Sequence, residues 1–183
     1  MIRRAVWVLA LPLVLVGCTS DDGKKPTVLP SLAPPAVSPS AVPVPSVPPE
    51  ASAETAQGAS AFVRYYLDVV NRSFATGEAA PVQALSMSDC AGCRNLIQAI
   101  SAPTTANERV EGGDYKVLEV ASTPASPQVM SSLVTYSLTE VRVVDAVGTL
   151  VRSTPARPPV AANMTLQRTN GSWLVATFRN VQS

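Results

Sequence analysis

Hydrophobic residues recur every three or four positions over residues 55–76, and this spacing predicts an amphipathic α-helix. The apolar residues form one stripe along the helix, whereas charged residues such as Arg64 and Asp68 lie mostly on the other side. The stripe consists of Phe62, Tyr65, Tyr66, Val69, Val70 and Phe74. Gly77 follows directly, and we expect it to end the helix in the left-handed conformation that glycine adopts readily.

Two shorter helical segments are predicted after this helix. Pro81 has the place of a first helical residue, where proline is common, and opens a short turn. Ser88 or Asp89 can cap the next helix, whose body covers residues 93–100. Pro103 is expected to end that helix, because proline lacks the N–H group that a helix interior needs.

The hydrophobic period changes to two beyond residue 113, which predicts β-strands. The predicted strands cover residues 115–120, 129–144, 149–153, 160–168 and 173–181. Three prolines must interrupt the strand pattern or lie at a bulge or a sheet edge: Pro155, Pro158 and Pro159. Asn170-Gly171 predicts a hairpin between the last two strands, because both residues accept positive φ. Helices followed by an antiparallel meander predict an α+β fold with a curved sheet, in one domain over residues 54–183.

The beginning of the chain has a different pattern. Arg3 and Arg4 precede an apolar run over residues 5–16, which suits a signal sequence and is too short to span a bilayer. The run ends in Leu15-Val16-Gly17-Cys18, which resembles the lipobox of bacterial lipoproteins. We therefore expect residues 1–17 to be a signal peptide and Cys18 to carry a lipid at the outer face of the cell membrane. An ordinary secretory signal is the alternative.

Proline dominates the stretch that follows. Nine of the 17 prolines of the chain fall within residues 26–49. Such a segment cannot form a helix or a central strand, and polyproline II at about 3.1 Å per residue is its natural conformation. Residues 18–53 are therefore predicted to be a disordered, Pro-rich tether that holds the domain away from the membrane.

Residues 61–93, which follow the lipobox and the Pro-rich spacer, have the sequence AFVRYYLDVVNRSFATGEAAPVQALSMSDCAGC. It resembles an uncharacterised family of actinobacterial lipoproteins that carry one domain of unknown function. The order of elements and the closing Asn-Gly-Ser-Trp hairpin are similar to the cone-shaped α+β fold of nuclear transport factor 2-like proteins. Neither resemblance implies an activity, since that fold hosts binding proteins, oligomerisation modules and enzymes.

Charge and composition exclude several function classes. The net charge is +1, so the chain lacks the basic field that nucleic-acid binding requires. It contains no histidine, which excludes a Ser-His-Asp or Cys-His apparatus and any histidine general base. We expect no cofactor.

Cys90 and Cys93 are the one motif that suggests chemistry. If Cys18 carries a lipid, these two are the cysteines that remain free to pair. An even number of cysteines in an oxidising compartment favours a structural disulfide, here at the start of a helix. A thioredoxin-like redox pair is the alternative, because a helix N-terminus favours the thiolate. A metal is not expected, since two thiolates fill only half of a tetrahedral zinc shell.

A carboxylate site is the remaining route to catalysis. Asp68 can point into a cone interior and meet Tyr136 from the sheet, which gives a candidate pocket of Tyr65, Tyr66, Asp68, Tyr136 and Trp173. We expect instead that Asp68 is solvated and that the aromatic residues belong to the core.

Three function classes remain. The favoured class is a membrane-anchored, non-enzymatic binding module of the cell envelope, whose partner is an envelope protein, a glycan or a small ligand. The alternatives are a small-substrate enzyme that uses Asp68 and tyrosine hydroxyls, and a thiol-redox protein centred on Cys90 and Cys93. The sequence leaves the oligomeric state open.

Overall fold

The structure, a computed structural model, describes residues 46–181. Its helices are a short 3-10 segment at Pro49–Ser52, α1 at Ala56–Thr76, α2 at Ala80–Ala84 and α3 at Ala91–Thr105. Its strands are β1 at Glu108–Gly112, β2 at Tyr115–Ser126, β3 at Val129–Leu138, β4 at Val141–Asp145, β5 at Leu150–Thr154, β6 at Arg157–Thr169 and β7 at Ser172–Asn180. Helices come first and antiparallel strands follow, which confirms the α+β class. The predicted signal peptide, Cys18 and most of the predicted tether lie outside the described residues.

Helix α1 begins and ends where the hydrophobic pattern predicts. The Thr55 side chain accepts a hydrogen bond from the backbone N–H of Gly58 at 3.0 Å, so Thr55 is the N-cap. Gly77 has φ of 74° and donates its N–H to the carbonyl of Ser73, which confirms the left-handed C-cap. The apolar stripe faces inward, and Phe62 and Tyr66 are almost fully buried.

Helix α2 confirms the short turn predicted at Pro81, but the limits predicted for α3 are wrong at both ends. Cys90 caps α3 in place of Ser88 or Asp89, because its sulfur accepts a hydrogen bond from the N–H of Cys93 at 3.2 Å. Pro103 lies inside the helix rather than ending it. Only the last turn follows Pro103, so the missing N–H removes one helical bond, and the proline ring is buried.

The strands form two hydrogen-bonded sheets rather than one. A four-stranded antiparallel sheet has the order β2-β3-β6-β7, and a three-stranded sheet has the order β1-β4-β5. In the larger sheet Val134 pairs with Ala162, and Leu166 pairs with Val175. Asn170 and Gly171 have φ of 51° and 80°, which confirms the predicted hairpin between β6 and β7.

The chain changes sheets three times, and the first two changes lie side by side. Gly112 and Gly113, between β1 and β2, have φ of 73° and 79°, and Gly113 donates its N–H to the carbonyl of Glu140 at 2.9 Å. The single strand predicted over residues 129–144 is therefore wrong, because the chain leaves the larger sheet after Leu138 and β4 joins the smaller one. Strand β1 was not predicted.

A bulge shifts the inward face of β2. The pairing with β3 changes register between Val117 and Glu119, so Leu118 is more than half exposed. The regular alternation predicted for residues 115–120 is wrong beyond this point, because Val120 takes the partly buried position and Glu119 is exposed.

The prolines lie where a strand tolerates them. Pro158 and Pro159 belong to the first residues of β6, beside a register shift opposite Tyr136 and Leu138. Strand β7 pairs with β6 only from Ala162 onward, so the prolines occupy a stretch with one free edge. This confirms the prediction of a bulge or an edge.

The core lies between α1 and the inner face of the larger sheet. The sheet contributes Val134, Tyr136, Ala162, Met164, Leu166 and Val175. The segment before α1 also belongs to this core, since Ala51 is buried and Val47 packs against it. The packed structure thus begins before the predicted domain boundary at residue 54.

Candidate binding pocket beside the disulfide

The first turn of α3 is fixed by a disulfide. Cys90 and Cys93 are bonded, with Cα atoms 5.3 Å apart, and neither residue is more than 1% exposed. The chain just before them runs along β7, because Met87 donates its N–H to Val175 O and Val175 donates its N–H to Leu85 O. The spacing of the two cysteines predicted this disulfide.

Helix α3 approaches β7 as closely as a glycine allows. A Cβ atom at Gly92 would overlap the backbone carbonyl oxygen of Phe178. Only a residue without a side chain fits there, so Gly92 sets how the helix meets the strand. This contact brings the start of α3 to the ends of β2, β3 and β7.

A small cavity opens at that junction, and we call it the aromatic pocket. Its volume is about 250 Å³. Its lining residues are Gly92, Asn95, Leu96, Tyr115, Tyr136, Phe178 and Asn180. The Tyr115 and Tyr136 ring centroids are 4.9 Å apart, and the Phe178 centroid is 6.4 Å from each of them. The rings are tilted or edge-on to one another, as favourable aromatic pairs are.

The polar groups of the aromatic pocket are hydroxyls and amides. The Tyr136 hydroxyl donates to Asn180 Oδ1 at 2.7 Å. Burial raises the pKa of the Tyr115 hydroxyl, and the nearby hydroxyls of Tyr136 and Tyr66 raise it further. Burial also raises the pKa of Tyr136, against a smaller lowering by the Arg157 guanidinium. Both hydroxyls therefore stay protonated and neutral at ordinary pH.

The five residues of the predicted pocket do not form one site, and only Tyr136 lines the aromatic pocket. Tyr65 is buried with its ring 6.3 Å from that of Phe62. Tyr66 is fully buried and its hydroxyl lies 3.2 Å from Ser86 Oγ. Asp68 is exposed on α1.

Trp173, the fifth predicted residue, lies at the hairpin that joins β6 and β7. Its indole nitrogen donates to Ala53 O at 3.0 Å, and the Arg168 guanidinium lies 5.3 Å from its ring centroid. Its role is thus to hold the segment before α1.

Sequence reasoning missed four polar or aromatic residues of the pocket: Asn95, Tyr115, Phe178 and Asn180. The alternation of β2 and β7 marked Tyr115 and Phe178 as apolar strand positions. Nothing in the local sequence marked the two asparagines, because the pocket is assembled from the ends of separate elements.

A second cavity, of about 520 Å³, lies on the other flank of α3. Its lining residues are Gln83, Ser86, Met87, Ser88, Cys93, Arg94, Ile97 and Gln98. Arg94 is committed to the fold there, since its guanidinium donates to Ser88 O at 2.8 Å. Two further cavities include the ionic residues Glu54 with Arg168, and Glu108 with Arg109.

Residues 46–181 show neither a metal-binding cluster nor a membrane-spanning helix. In that range no group of three or more His, Cys, Asp or Glu side chains is arranged to hold a metal ion. No helix in the same range has the length and apolar character needed to cross a membrane.

Comparison with known protein families identifies one that this sequence matches. A family model described as "Family of unknown function (DUF6318)" matches residues 36–179. The chain belongs to this family. The expectation that the chain belongs to a family of unknown function is thus confirmed, and the family description assigns no activity. No curated protein matches the sequence.

Solved structures resemble this DUF6318 domain at low sequence identity. The intermembrane-space region of chloroplast protein ARC6 has a TM-score of 0.53 and 11% identity, and the match covers 70% of this chain and 98% of that one. An NTF2-like protein with a cystatin-like fold from Novosphingobium aromaticivorans has a TM-score of 0.42 and 14% identity, covering 64% and 77%. A protein of unknown function from Mycobacterium tuberculosis has a TM-score of 0.43 and 12% identity, covering 66% and 74%. At these identities the likeness concerns the fold alone.

Proposed function

We propose that this DUF6318 protein is an actinobacterial lipoprotein, held at the outer face of the cell membrane by a lipid on Cys18. Its folded domain is a non-enzymatic binding module of the cell envelope. The observation that carries the proposal is the buried disulfide between Cys90 and Cys93. Disulfides form and persist in oxidising compartments, so this bond agrees with the secretion that the lipobox-like sequence before Cys18 predicts.

Binding is favoured over catalysis by the arrangement of the titratable groups. Asp68 is exposed, whereas the Tyr66 and Tyr136 hydroxyls lie inside the domain beside Ser86 and Asn180. A general acid and base would have to reach one substrate, and these groups do not face a common cavity. The redox alternative is also less favoured, because a catalytic thiol must be accessible and both sulfurs are buried.

The anchor is tested with the full chain in a host that possesses the lipoprotein pathway. Wild-type protein should incorporate radiolabelled palmitate, and its mature N-terminal peptide should begin at a diacylglyceryl-modified Cys18. The Cys18→Ser variant should incorporate none. A matched control, Cys90→Ala with Cys93→Ala, should be labelled as wild type because Cys18 is intact. Unlabelled wild-type protein would overturn the proposal.

The side of the membrane is tested on intact cells with a membrane-impermeant amine reagent. Lys116 is exposed, so an extracytoplasmic domain should be modified there before the cells are broken. Modification only after lysis would place the domain inside the cell and contradict the proposal.

A further inference from the structure

We propose that the aromatic pocket binds one uncharged sugar ring, such as the terminal residue of an envelope glycan. The inference rests on the binding role proposed above and names the chemical class of the ligand. Four features of the pocket support it: its rings, its amides, its lack of charge and its size.

The three rings form the apolar side of the pocket: Tyr115 is partly exposed, and the buried rings of Tyr136 and Phe178 pack behind it. Tyr115, Tyr136 and Phe178 cluster with centroid distances of 4.9–6.4 Å. A pyranose presents C–H groups on its faces and hydroxyls around its edge, so it can pack on such a surface while its hydroxyls turn outward. Aromatic side chains lose little conformational freedom in such contacts, because they are stiff and already packed.

The two asparagines supply the matching polar groups. Asn180 Oδ1 accepts a hydrogen bond from the Tyr136 hydroxyl, and the Asn180 NH₂ group has no protein acceptor among residues 46–181. The Asn95 side chain makes no hydrogen bond with the described residues and is exposed at the rim. An amide both donates and accepts, and so does a sugar hydroxyl.

Charge separates this pocket from the other three cavities described above. None of its seven lining residues is acidic or basic, whereas the others include Arg94, Glu54 with Arg168, or Glu108 with Arg109. An ionic ligand would lose hydration here without gaining a lining counter-charge. A purely apolar ring would gain no hydrogen bond from the two amides. A neutral polyol avoids the penalty of an unpaired charge and can gain these bonds.

The volume fits a single ring. About 250 Å³ lies below the roughly 300–1,000 Å³ usual for drug-sized ligands. Asn95 and Asn180 are exposed at the rim, so the remainder of a glycan would extend into solvent.

Saturation-transfer difference NMR tests the proposal on the full chain, purified from whichever cell fraction contains it. The probes are methyl β-glucoside and N-acetylglucosamine as neutral sugars, glucuronic acid as an anion, glucosamine as a cation, and cyclohexanol as an apolar ring. Both neutral sugars should compete for one site, with a Kd on the order of 1 mM or below. Tighter binding of glucuronic acid would overturn the neutral class and implicate Arg157. Equal binding of cyclohexanol would overturn the role of the amides, and binding of no neutral sugar would overturn the proposal.

Two variants locate the site. Asn95→Ala removes a side chain that has no hydrogen-bond partner among residues 46–181, so the fold should persist while sugar affinity falls about tenfold, the equivalent of one hydrogen bond. Asn163→Ala is the matched control, since Asn163 is exposed on β6 and does not line the pocket. Equal affinities in the two variants would exclude this pocket as the site.

The lipid anchor and the sugar-binding pocket can be refuted independently of each other. Palmitate labelling without sugar binding would refute the aromatic pocket and leave the anchor intact. Sugar binding by an unlabelled chain would refute the anchor and leave the pocket intact.

Discussion

Asn71 acts as a strand neighbour for the free edge of β2. Its side-chain oxygen accepts the Tyr115 N–H at 2.8 Å, and its NH₂ group donates to the Tyr115 carbonyl at 3.1 Å. The amide therefore satisfies both backbone groups of one residue, as a paired strand would. Because Asn71 lies on α1, the same two bonds also hold the helix to the sheet beside the aromatic pocket.

Replacement of Asn71 should reveal how much these two bonds stabilise the domain. Asn71→Ala should lower the free energy of unfolding by about 1–3 kcal/mol, because Tyr115 loses both partners in a partly buried place. Asn71→Asp should lower it as well, since a carboxylate oxygen would face the Tyr115 carbonyl. Urea unfolding measures both changes. Asn163→Ala, on an exposed strand position, should stay within about 0.5 kcal/mol of wild type. Full stability of Asn71→Asp would show that the donated bond contributes nothing.

At the scale of elements, the start of α3 depends on residues with different roles. The disulfide closes its first turn, the Cys90 sulfur caps the helix, and Gly92 permits contact with β7. A helix start is otherwise its weakest part, because its first N–H groups have no helical partners. The disulfide thus stabilises the wall of the aromatic pocket.

We predict that the disulfide resists reduction in the folded protein. Cys90 and Cys93 are buried, so a phosphine reductant followed by iodoacetamide should modify neither until the domain is unfolded in guanidinium chloride. Mass spectrometry reads the result directly. Rapid modification of the folded protein would favour the thiol-redox alternative. Cys90→Ala with Cys93→Ala should cost about 2 kcal/mol of unfolding free energy, since the closed loop is short.

A second group of contacts ties the segment before α1 to the β6–β7 hairpin. The Arg168 guanidinium donates to Ser52 O at 2.8 Å and stacks on Trp173, whose indole N–H reaches Ala53 O. Arg168 Nε also lies 2.8 Å from a Glu54 carboxylate oxygen, but the Glu54 side chain is 72% exposed, so this ion pair adds little. The backbone contacts carry the attachment.

Loss of Arg168 should loosen that segment. In Arg168→Gln, a glutamate-specific protease should cut after Glu50 or Glu54 about tenfold faster than in wild type, because one charge-assisted bond no longer opposes local opening. Cleavage rates under native conditions measure the change. Arg179→Gln is the control, since Arg179 is exposed at the far end of β7. Equal rates in wild type and Arg168→Gln would refute the attachment.

Elements with a local signal were predictable, and those set by distant contacts were not. The stripe of α1 and the Asn170-Gly171 turn are encoded by neighbouring residues, and both are present as expected. The break between β3 and β4 is held by hydrogen bonds between the Gly113-Asp114 stretch and residues 139–140, so the apolar pattern of residues 129–144 does not reveal it. Likewise Tyr136 was identified as a pocket residue, whereas Asn95 and Asn180 become neighbours only after folding.

At the scale of the whole molecule, α1 and the larger sheet each contribute a tyrosine with a buried hydroxyl, Tyr66 and Tyr115. Burial raises the pKa of Tyr66 to about 12, against a smaller lowering by the hydrogen bond with Ser86. The pKa of Tyr115 is raised as well, mainly by burial. Ionisation of either hydroxyl in the folded state would place a charge beside the core, so the folded domain holds these protons more tightly than the unfolded chain does.

The domain should therefore lose stability in alkali. The pKa of a tyrosine is near 10 in the unfolded chain, and the pKa of Tyr66 is about 12 in the folded domain. The resulting stabilisation is fully present below about pH 10 and is lost as the pH rises to about 12. Between these values the unfolded chain releases protons that the folded domain retains. The free energy of unfolding should then fall by up to about 1.4 kcal/mol per pH unit for each such tyrosine. Urea unfolding from neutral pH into this range measures the slope. Tyr66→Phe should flatten it, whereas Lys116→Gln, which removes the one lysine of residues 46–181, should not. If the unfolding free energy of Tyr66→Phe fell with pH as steeply as that of the wild type, ionisation of Tyr66 would not be a cause of the lost stability.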